Sequence, residues 1–397
     1  MIFDIEQEYI ISEFLKFMDN PYEQVFQYSG GPGTGKTTLL FEMIKRKGID
    51  INRVAFMAYI GQAAINMKTK GLSNAGTIHS WIYNVINTFK TDTNGNIVYN
   101  KSLNRPIMTY GFVPKESLGD IDLIVIDEAG SVPLSLKYDI EKYGIKIVAT
   151  GDLDQLPPVS DTPAYLYSGK VYRLNNIKRQ KAGSNIVNLS RKLLCGEKIH
   201  NGYYGDVLVI DYNDLTDDML MMSDIIICGK NKTREIINNR IRHDILKINN
   251  ELPLYGEKVI CRKNNRFIER DGINLANGLS GYVVNNPDQS TFNGKTFKIN
   301  FNPINSNIVF TNIDCDYKYF VSDNDTRQLI KNSKYSIGEK FEFGYAITCH
   351  LAQGSQYKKG IYIEEYLDKN IQNNLNYTGI TRFSDLCIYV KKKNKYF

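Results

Sequence analysis

The sequence contains few of the residues that build metal sites and disulfide frameworks. Its 397 residues include four histidines and six cysteines, and no two cysteines form a Cys-x-x-Cys pair. Because zinc knuckles are built from such pairs, the sequence excludes them, and the scattered cysteines are typical of buried thiols in a reduced, intracellular chain. We therefore predict a cytoplasmic protein without a zinc site.

Long apolar runs are also missing. No run approaches the roughly 18 apolar residues that a membrane span needs. Residues 1–20 mix acidic and apolar positions, whereas a signal peptide starts with basic residues and continues with an apolar core. With 42% hydrophobic and 23% charged residues, the composition is that of a globular chain. Its length corresponds to about two to three domains, and we expect no membrane partner.

Charge of one sign is only in slight excess. The chain has 49 basic and 43 acidic residues, and the net charge of +6 favours polyanionic partners weakly. Among the aromatic residues there are 27 tyrosines and 18 phenylalanines but one tryptophan. Tyrosine rings can stack on nucleobases, but an AT-rich genome explains the same excess. Composition alone therefore does not decide the partner.

Short runs rich in β-branched residues alternate with helical patterns along the chain. Because these runs are apolar on both faces, they predict buried parallel strands in βα units. The fold class is therefore α/β, with two sheets. The predicted strands are 25–28, 53–58, 121–126, 145–149, 206–210, 224–228, 360–363 and 385–390.

Two stretches interrupt this alternation. Residues 82–120 are polar and contain Asn94-Gly95 between strand-like flanks, which predicts a hairpin insert. Residues 258–340 carry strand-like patterns with turns at Asn277-Gly278 and Asn293-Gly294 and no long amphipathic helix. We expect this second stretch to be a small all-β insert.

A glycine-rich loop follows the first predicted strand. Residues 30–37 fit the pattern G-x-x-x-x-G-K-[ST], and an apolar helical pattern continues after them. In such a loop the backbone N–H groups wrap phosphates at a helix N-terminus. Lys36 is predicted to reach the β- and γ-phosphates, and the Thr37 hydroxyl to bind Mg²⁺. The alternative is a glycine-rich turn without a ligand.

Two carboxylates end the strand at 121–126. Asp127 is placed to hold Mg²⁺ through water, and Glu128 to polarise the water that attacks the phosphate. An apolar strand that ends in Asp-Glu is common by itself, but behind a phosphate loop the pair predicts a nucleotide hydrolase.

These segments, with Gly151-Asp152-Leu153-Asp154-Gln155-Leu156-Pro157-Pro158-Val159 after the next strand, resemble the superfamily 1 helicases. The combination of Asp-Glu-Ala with Gly-Asp-x-x-Gln-Leu-Pro-Pro-Val is similar to the 5′→3′ branch of RecD-like and phage Dda-like enzymes. Further segments match this family in order, so the resemblance spans nearly the whole chain. They are 58–64, 77–80, 174–180, 345–355 and 376–382.

The resemblance implies a P-loop NTPase with two RecA-like motor domains, each built on a parallel sheet. The first would span residues 1–170 and include the hairpin insert at about 82–120. The second would combine residues 171–257 and 341–397. The all-β insert at 258–340 would correspond to an SH3-like subdomain.

The resemblance also assigns roles at the nucleotide. Gln7 would read the adenine edge, and Gln155 would couple the γ-phosphate to domain closure. Arg179 and Arg382 would act as arginine fingers from the second motor domain, so that hydrolysis depends on a closed cleft. ATP and Mg²⁺ are the implied cofactors. The predicted nucleotide-binding residues are Gln7, Gly31, Gly33, Thr34, Gly35, Lys36, Thr37, Thr38 and Gly354.

A nucleic-acid track is expected on one face of the two sheets. Small hydroxyl and imidazole side chains suit contacts to sugar and phosphate without reading of bases. The hairpin would be a pin that splits the duplex, with Phe89 and Tyr99 against the last base pair, although a plain surface hairpin is the alternative. The segment 277–281 would border the strand. The predicted strand-contacting residues are Thr77, His79, Thr348 and His350.

The sequence thus predicts an ATP-dependent DNA helicase that translocates on single-stranded DNA, 5′→3′ by resemblance, in replication, recombination or repair. Its expected partners are single-stranded DNA and duplex junctions, with single-strand-binding or replisome proteins. An RNA helicase is one alternative, since nothing in the motifs reports on the 2′-hydroxyl. An ATP-driven remodeller or loader without strand separation is another. A kinase with the same loop does not fit the Asp-Glu pair, Gln155 and the two downstream arginines.

Overall fold

Six parallel strands form the first sheet of the computed structural model, which describes residues 2–89, 91–92, 94–100, 105–106, 108–157, 162–176, 184–271, 273–287, 292, 294–332 and 338–391. The central strands are buried along their whole length because the sheet is covered on both faces. The strands are β1 (Val25–Gly30), β2 (Val54–Ala58), β3 (Ala75–Thr77), β8 (Leu123–Asp127), β9 (Lys146–Gly151) and β10 (Val171–Leu174). Their spatial order is β10-β1-β9-β8-β2-β3.

Helices pack on both faces of this sheet. The first helix begins with a capping box, in which Asp4 accepts from the backbone N–H of Gln7 and the Gln7 side chain accepts from that of Asp4. Its apolar face packs on β1, with the Phe14 and Phe26 rings 5.7 Å apart. The helices are α1 (Ile5–Asp19), α2 (Lys36–Lys47), α3 (Gly61–Thr69), α4 (Ile78–Ile82) and α5 (Lys137–Glu141).

An antiparallel arm leaves the first sheet after α4. Strands β4 (Tyr83–Phe89) and β7 (Met108–Pro114) pair along seven residues, with Phe89 opposite Met108. A turn at Gly95 lies beyond this ladder, where its φ of +82° suits glycine. Tyr99 belongs to a separate short ladder of β5 (Tyr99–Asn100) and β6 (Arg105–Pro106). Phe89 and Tyr99 therefore do not lie opposite each other on one hairpin, because a second ladder intervenes.

The second six-stranded sheet is parallel except at one edge. The first strand pairs antiparallel with the second, and the others pair in parallel. The strands are β11 (Gly202–Tyr203), β12 (Val207–Asp211), β13 (Ile225–Cys228), β21 (Ala346–Thr348), β22 (Tyr357–Ile363) and β23 (Phe383–Lys391), in the order β11-β12-β23-β22-β13-β21. The helices are α6 (Asn185–Leu194), α7 (Asp217–Met221), α8 (Asn231–Asn239), which continues as a π-helical turn (Arg240–Ile245), and α11 (Gln372–Ile380).

A five-stranded antiparallel sheet lies between β13 and β21 in the chain. Its strands are β14 (Lys258–Cys261), β17 (Ser280–Val283), β18 (Thr296–Pro303), β19 (Phe310–Asp316) and β20 (Phe341–Phe343), in the order β19-β18-β17-β14-β20. A separate two-stranded ladder joins β15 (Asn265–Arg270) and β16 (Ile273–Leu275). Strand β20 pairs with β14, so this sheet continues past residue 340.

The same segment also contains two helices, α9 (Tyr317–Val321) and α10 (Asn324–Asn332). The prediction that residues 258–340 form an all-β insert is therefore wrong for the part that contains α9 and α10. The reason is local capping. The Asp316 carboxylate accepts from the Tyr319 N–H at 3.0 Å, and Asp323 accepts from the Thr326 N–H at 2.8 Å. Two such caps start helices that are too short to give a clear period in the sequence.

A buried ionic cluster attaches the antiparallel sheet to the second parallel sheet. Glu342 of β20 is 2.6 Å from Arg234 of α8 and 3.2 Å from Arg262, which follows β14. Arg327 of α10 lies 3.9 Å away. Arg234 and Glu342 are almost fully buried. Through one carboxylate the cluster thus joins β20 to α8, to α10 and to the residue that follows β14.

The predicted α/β class with parallel sheets is confirmed, and each of the eight predicted strands overlaps an observed one. Within the described part of the chain, no helix is long and apolar enough to cross a membrane.

Candidate functional site

The phosphate loop connects β1 to α2, as predicted. The φ angles of Gly33 and Gly35 are +80° and +88°, a region that glycine adopts without strain. The Thr34 hydroxyl donates to the Gly31 carbonyl at 2.9 Å and closes the turn. Gly35 then stands at the N-cap of α2, so the first amides of this helix face the loop. The loop has the shape that binds anions at a helix N-terminus.

Lys36 lies over the same loop. Its Nζ donates to the carbonyl oxygens of Gly30 and Gly31, the latter at 3.4 Å. The backbone carbonyl of Lys36 accepts from the Tyr28 hydroxyl at 3.1 Å, which fixes the start of α2 to the sheet. The ammonium group therefore sits where a bound phosphate chain would need a positive charge. Thr37 and Thr38 follow it and are exposed.

Gln7 lies under the loop instead of on a solvated helix face. It is buried, and its Nε2 is 3.5 Å from the Thr34 carbonyl oxygen. Its Oε1 accepts from the Asp4 backbone, as part of the capping box. The amide thus links the start of α1 to the phosphate loop.

Asp127 and Glu128 end β8 beside the loop. The Asp127 carboxylate accepts from the Glu128 backbone N–H at 3.0 Å. Glu128 has a φ of +51°, a conformation that costs a residue with a side chain of order 1–3 kcal/mol. Burial and the neighbouring Asp127 raise the pKa of the Glu128 carboxyl, while Arg382 and Lys36 act against this shift. A carboxyl with a raised pKa is suited to accept a proton.

Asp152 and Gln155 follow β9 and are both buried. The Gln155 Nε2 donates to Asp152 Oδ2 at 3.3 Å. Tyr377 belongs to helix α11, which packs on the second sheet. It donates its hydroxyl hydrogen to the same oxygen at 2.8 Å. Burial and the adjacent Asp152 carboxylate raise the pKa of the Tyr377 phenol, so it remains a donor at neutral pH.

Two more hydrogen bonds join the same two elements. Leu156 N–H donates to Thr378 Oγ1 at 2.9 Å, and Asn374 Nδ2 donates to the Asp154 carbonyl at 2.9 Å. We call the contact between residues 152–156 and helix α11 the polar seam. It places the second sheet directly against the nucleotide-binding edge of the first.

Arg382 lies between helix α11 and strand β23 of the second sheet. It is buried, and its guanidinium donates to the Thr378 carbonyl at 3.1 Å and the Ser355 carbonyl at 3.3 Å. Its positive charge acts against the upward shift in the pKa of Glu128. Arg179, the other predicted finger, lies outside the described residues.

Gly354 lies between β21 and β22 in the chain and packs against α3. Its carbonyl accepts from Asn66 of α3 at 2.8 Å, and a Cβ at this position would lie 3.2 Å from Ala63. Gly354, Glu128 and Gln155 line one small cavity. The structure therefore brings three of the predicted site residues, two from the first sheet and one from the second, to one cavity.

The sequence did not predict four residues near the phosphate loop. Asp152 and Tyr377 form a buried hydrogen bond, and Arg173 and Arg191 line a second cavity together with Gly31 and Tyr377. Asp152 lies in the segment 151–159, and Tyr377 lies in the segment 376–382; both segments match the helicase family in the sequence analysis. That placement was the available signal for both. No signal distinguished Arg173 and Arg191 from surface arginines.

A second groove crosses the two sheets and the antiparallel sheet. Thr77, His79 and His350 line it together with Asn277 and Gly278, as the sequence suggested. Burial lowers the pKa of the His350 imidazole, which favours its neutral form. Thr348 is buried at the end of β21, and its side chain does not reach the lining.

His79 stands in a group of aromatic rings at the base of the antiparallel arm. Its ring centroid is 6.1 Å from that of Tyr59, 5.5 Å from that of Tyr83 and 6.2 Å from that of Phe112. Tyr59 and Phe112 are each more than a third exposed. The groove thus offers flat apolar faces beside polar side chains, a surface suited to unpaired bases and their backbone.

Comparison with known proteins gives one family model and several relatives. Residues 19–161 match a model described as an AAA domain. The chain is 22% identical to an uncharacterized protein of Acanthamoeba polyphaga mimivirus, with 96% of each chain covered. It is also 22% identical to the RecD subunit of the RecBCD enzyme of Buchnera aphidicola subsp. Schizaphis graminum, with 89% of this chain and 68% of that subunit covered.

Solved structures extend this likeness. A Pif1 helicase structure concerned with unwinding at forked double-stranded DNA gives a TM-score of 0.53 at 19% identity, over 98% of this chain and 92% of that one. Bacteroides Pif1 bound to single-stranded DNA gives 0.52 at 18% identity, with the same coverage. The fold expected from the order of the motifs is therefore confirmed.

Proposed function

We infer that this chain, which has the fold and the motif order of RecD- and Pif1-type helicases of superfamily 1, is an ATP-dependent DNA helicase. The observation that carries this inference is the cleft between the two parallel sheets. There Glu128 and Gln155 of the first sheet line one cavity with Gly354 of the second, and the charges of Lys36 and Arg382 both act on Glu128. A nucleotide in this cleft would touch both sheets, so its hydrolysis would change how they fit together.

The phosphate loop would hold the phosphates of ATP through its backbone amides and Lys36. Gln7 would present its amide to the adenine edge after exchanging its contacts with Asp4 and Thr34. The Thr37 hydroxyl and the Asp127 carboxylate are hard oxygen donors, which is the chemistry that Mg²⁺ prefers. When bound, Mg²⁺ neutralises charge on the phosphates.

Hydrolysis would use groups from both sheets. Glu128 would accept a proton from the attacking water, and Gln155 would orient that water against the γ-phosphate. Arg382, with Arg179 as a second finger, would stabilise the charge of the transition state. Because the arginines come from the second sheet, hydrolysis would be fast only when the cleft is closed.

Single-stranded DNA would run along the groove lined by Thr77, His79 and His350. RecD is a subunit of RecBCD, and the Pif1 relatives bind single-stranded DNA and unwind forked DNA. We therefore propose single-stranded DNA and duplex junctions as substrates and 5′→3′ as the direction. Single-strand-binding or replisome proteins are further proposed partners.

Unwinding of tailed duplexes tests this function. We expect the protein to unwind a 5′-tailed duplex with ATP and Mg²⁺ and to leave a 3′-tailed duplex intact. Lys36→Ala should lower unwinding and DNA-stimulated hydrolysis by at least about 100-fold, because the variant loses the charge that faces the phosphates.

Lys47→Ala is a matched control. It removes a lysine at the other end of α2, where Lys47 pairs with the exposed Asp19. Normal unwinding by Lys36→Ala would contradict the ATP site, and unwinding of the 3′-tailed duplex alone would contradict the direction. Stronger ATPase stimulation by RNA than by DNA of the same sequence would favour an RNA helicase.

The antiparallel arm is proposed to separate the strands. Phe89 and Tyr99 are about half exposed, on ladders that project from the first sheet. Replacing the tip at 92–96 by Gly-Gly should leave single-strand-stimulated hydrolysis within about twofold and reduce unwinding by at least about tenfold. Equal unwinding by both proteins would identify the arm as a plain surface feature.

A further inference from the structure

Tyr377 reaches from the second sheet to the phosphate loop of the first. Its hydroxyl donates to Asp152 Oδ2 at 2.8 Å, in a buried position. A Cβ atom added to Gly31 would lie 2.8 Å from the same hydroxyl oxygen. One phenol therefore contacts the phosphate loop and the acidic end of β9 at the same time.

Asp152 passes this contact on to Gln155. Asp152 Oδ2 accepts from Gln155 Nε2 at 3.3 Å, and Asp152 Oδ1 accepts from the Asp154 N–H at 3.0 Å. Asp152 is 5% exposed, so few water molecules can replace a lost donor. Hydrogen bonds to a buried carboxylate are strong, and losing one leaves the charge poorly solvated. The Tyr377 hydroxyl and the Gln155 amide thus share one buried acceptor oxygen.

The rest of the polar seam provides a comparison inside the same helix. Thr378 and Asn374 bond to the backbone of Leu156 and Asp154, respectively. These two bonds join the same two elements as Tyr377 does, but they involve neither Asp152 nor Gly31. Within helix α11, three residues thus bond to residues 152–156, and of these three Tyr377 is the one that contacts both Asp152 and Gly31.

We propose that Tyr377 is a positioning residue that couples closure of the cleft to the alignment of Gln155. The proposal rests on the ATPase activity proposed above. When the second sheet brings Tyr377 against Gly31, the hydroxyl orients Asp152, and Asp152 holds the Gln155 amide toward the γ-phosphate. When the sheets separate, this alignment is lost. Closure is then required twice, once for the arginine charge and once for the alignment of the glutamine.

Steady-state ATPase of the full chain with saturating single-stranded DNA tests this coupling. Tyr377→Phe should lower kcat about tenfold and change KM for ATP by less than about twofold, because the phosphate loop and Lys36 are untouched. Thr378→Val and Asn374→Ala should keep kcat within about threefold. Unchanged kcat in Tyr377→Phe, or an equal loss in Thr378→Val, would overturn the proposal.

A double variant gives a second readout that does not depend on the stability of one protein. Gly31→Ala would push the Tyr377 hydroxyl off Asp152, whereas the Tyr377→Phe background lacks the oxygen that the new Cβ meets. Gly31→Ala should therefore lower kcat at least about fivefold more in the unmodified background than in the Tyr377→Phe background. Equal losses in both backgrounds would overturn the coupling. If the unmodified protein hydrolyses no ATP, the proposed function itself fails; an active protein with an unaffected Tyr377→Phe variant contradicts the coupling alone.

Discussion

Each of the two parallel sheets has a strand that runs into a helix through a glycine and a lysine. In the first sheet these are Gly35 and Lys36, at the end of the phosphate loop. In the second sheet they are Gly229 and Lys230, between β13 and α8. Both junctions point backbone N–H groups at the space before the helix, where an anion is favoured.

The two junctions differ in what meets those N–H groups. In the second sheet, the Glu365 carboxylate accepts from Gly229 N–H and Lys230 N–H, both at 2.8 Å. Its other oxygen accepts from the Thr233 hydroxyl at 2.6 Å. The chain thus supplies its own anion there, at a junction too short to wrap a phosphate chain. In the function proposed above there is accordingly one nucleotide site, with its phosphate loop on the first sheet, and the second sheet would contribute side chains.

Substitution of one glutamate beside each sheet tests the difference between the two sheets with the largest expected effect. We expect Glu128→Gln to lower kcat for ATP by about 100- to 1,000-fold, because the amide cannot accept a proton. The matched change in the second sheet, Glu365→Gln, should leave kcat within about twofold. Phosphate release with saturating single-stranded DNA measures both. Similar losses in the two variants would contradict the assignment of one catalytic sheet.

Glu128 and Glu365 should also differ in how they affect the pH dependence of kcat. Burial and Asp127 raise the pKa of Glu128, and a proton acceptor works only when deprotonated. The kcat of the unmodified protein should therefore fall as the pH decreases through a midpoint above the ordinary glutamate range. This acidic limb should persist in Glu365→Gln and vanish in the residual activity of Glu128→Gln. If kcat of Glu128→Gln falls at low pH with the same midpoint, a group other than Glu128 causes the decrease.

A smaller effect is expected on stability in the second sheet. Glu365→Ala leaves two backbone N–H groups and the Thr233 hydroxyl without their acceptor, and should lower the free energy of unfolding by about 2 kcal/mol. Glu365→Gln keeps an acceptor but loses the charge, and should cost about 0.5–1 kcal/mol. Urea unfolding measures both, and equal stability of all three proteins would show that the junction needs no anion.

The sequence was sufficient for features that depend on local spacing. Strands such as β2 and β8 are apolar at every position before their ends, so they could be recognised without knowing their neighbours. The phosphate loop is a contiguous pattern, and two of its glycines, Gly33 and Gly35, have positive φ angles that favour glycine. The order of these elements was enough to predict two parallel sheets.

Contacts between distant segments could not be predicted in the same way. Tyr377 and Asp152 are 225 positions apart, and neither residue type indicates that the other is its hydrogen-bond partner. The pairing of Phe89 with Met108 also escaped prediction, because the Asn-Gly turn fixes only its own ends. Helices α9 and α10 depend on capping carboxylates that look like ordinary loop residues. The roles of the predicted site residues toward a nucleotide and toward nucleic acid stay predictions.

The cluster around Glu342 constrains how this protein can change over evolutionary time. Removing one partner from a buried ionic group costs about 3–5 kcal/mol, whereas exchanging the whole group for well-packed apolar residues can be neutral. Here the group includes Arg234, Arg262 and Arg327, which come from separate parts of the chain. A lineage that loses one of them passes through a weakened intermediate before it can reach an apolar replacement. The antiparallel sheet and the second parallel sheet are thereby joined as a unit that single substitutions do not readily separate.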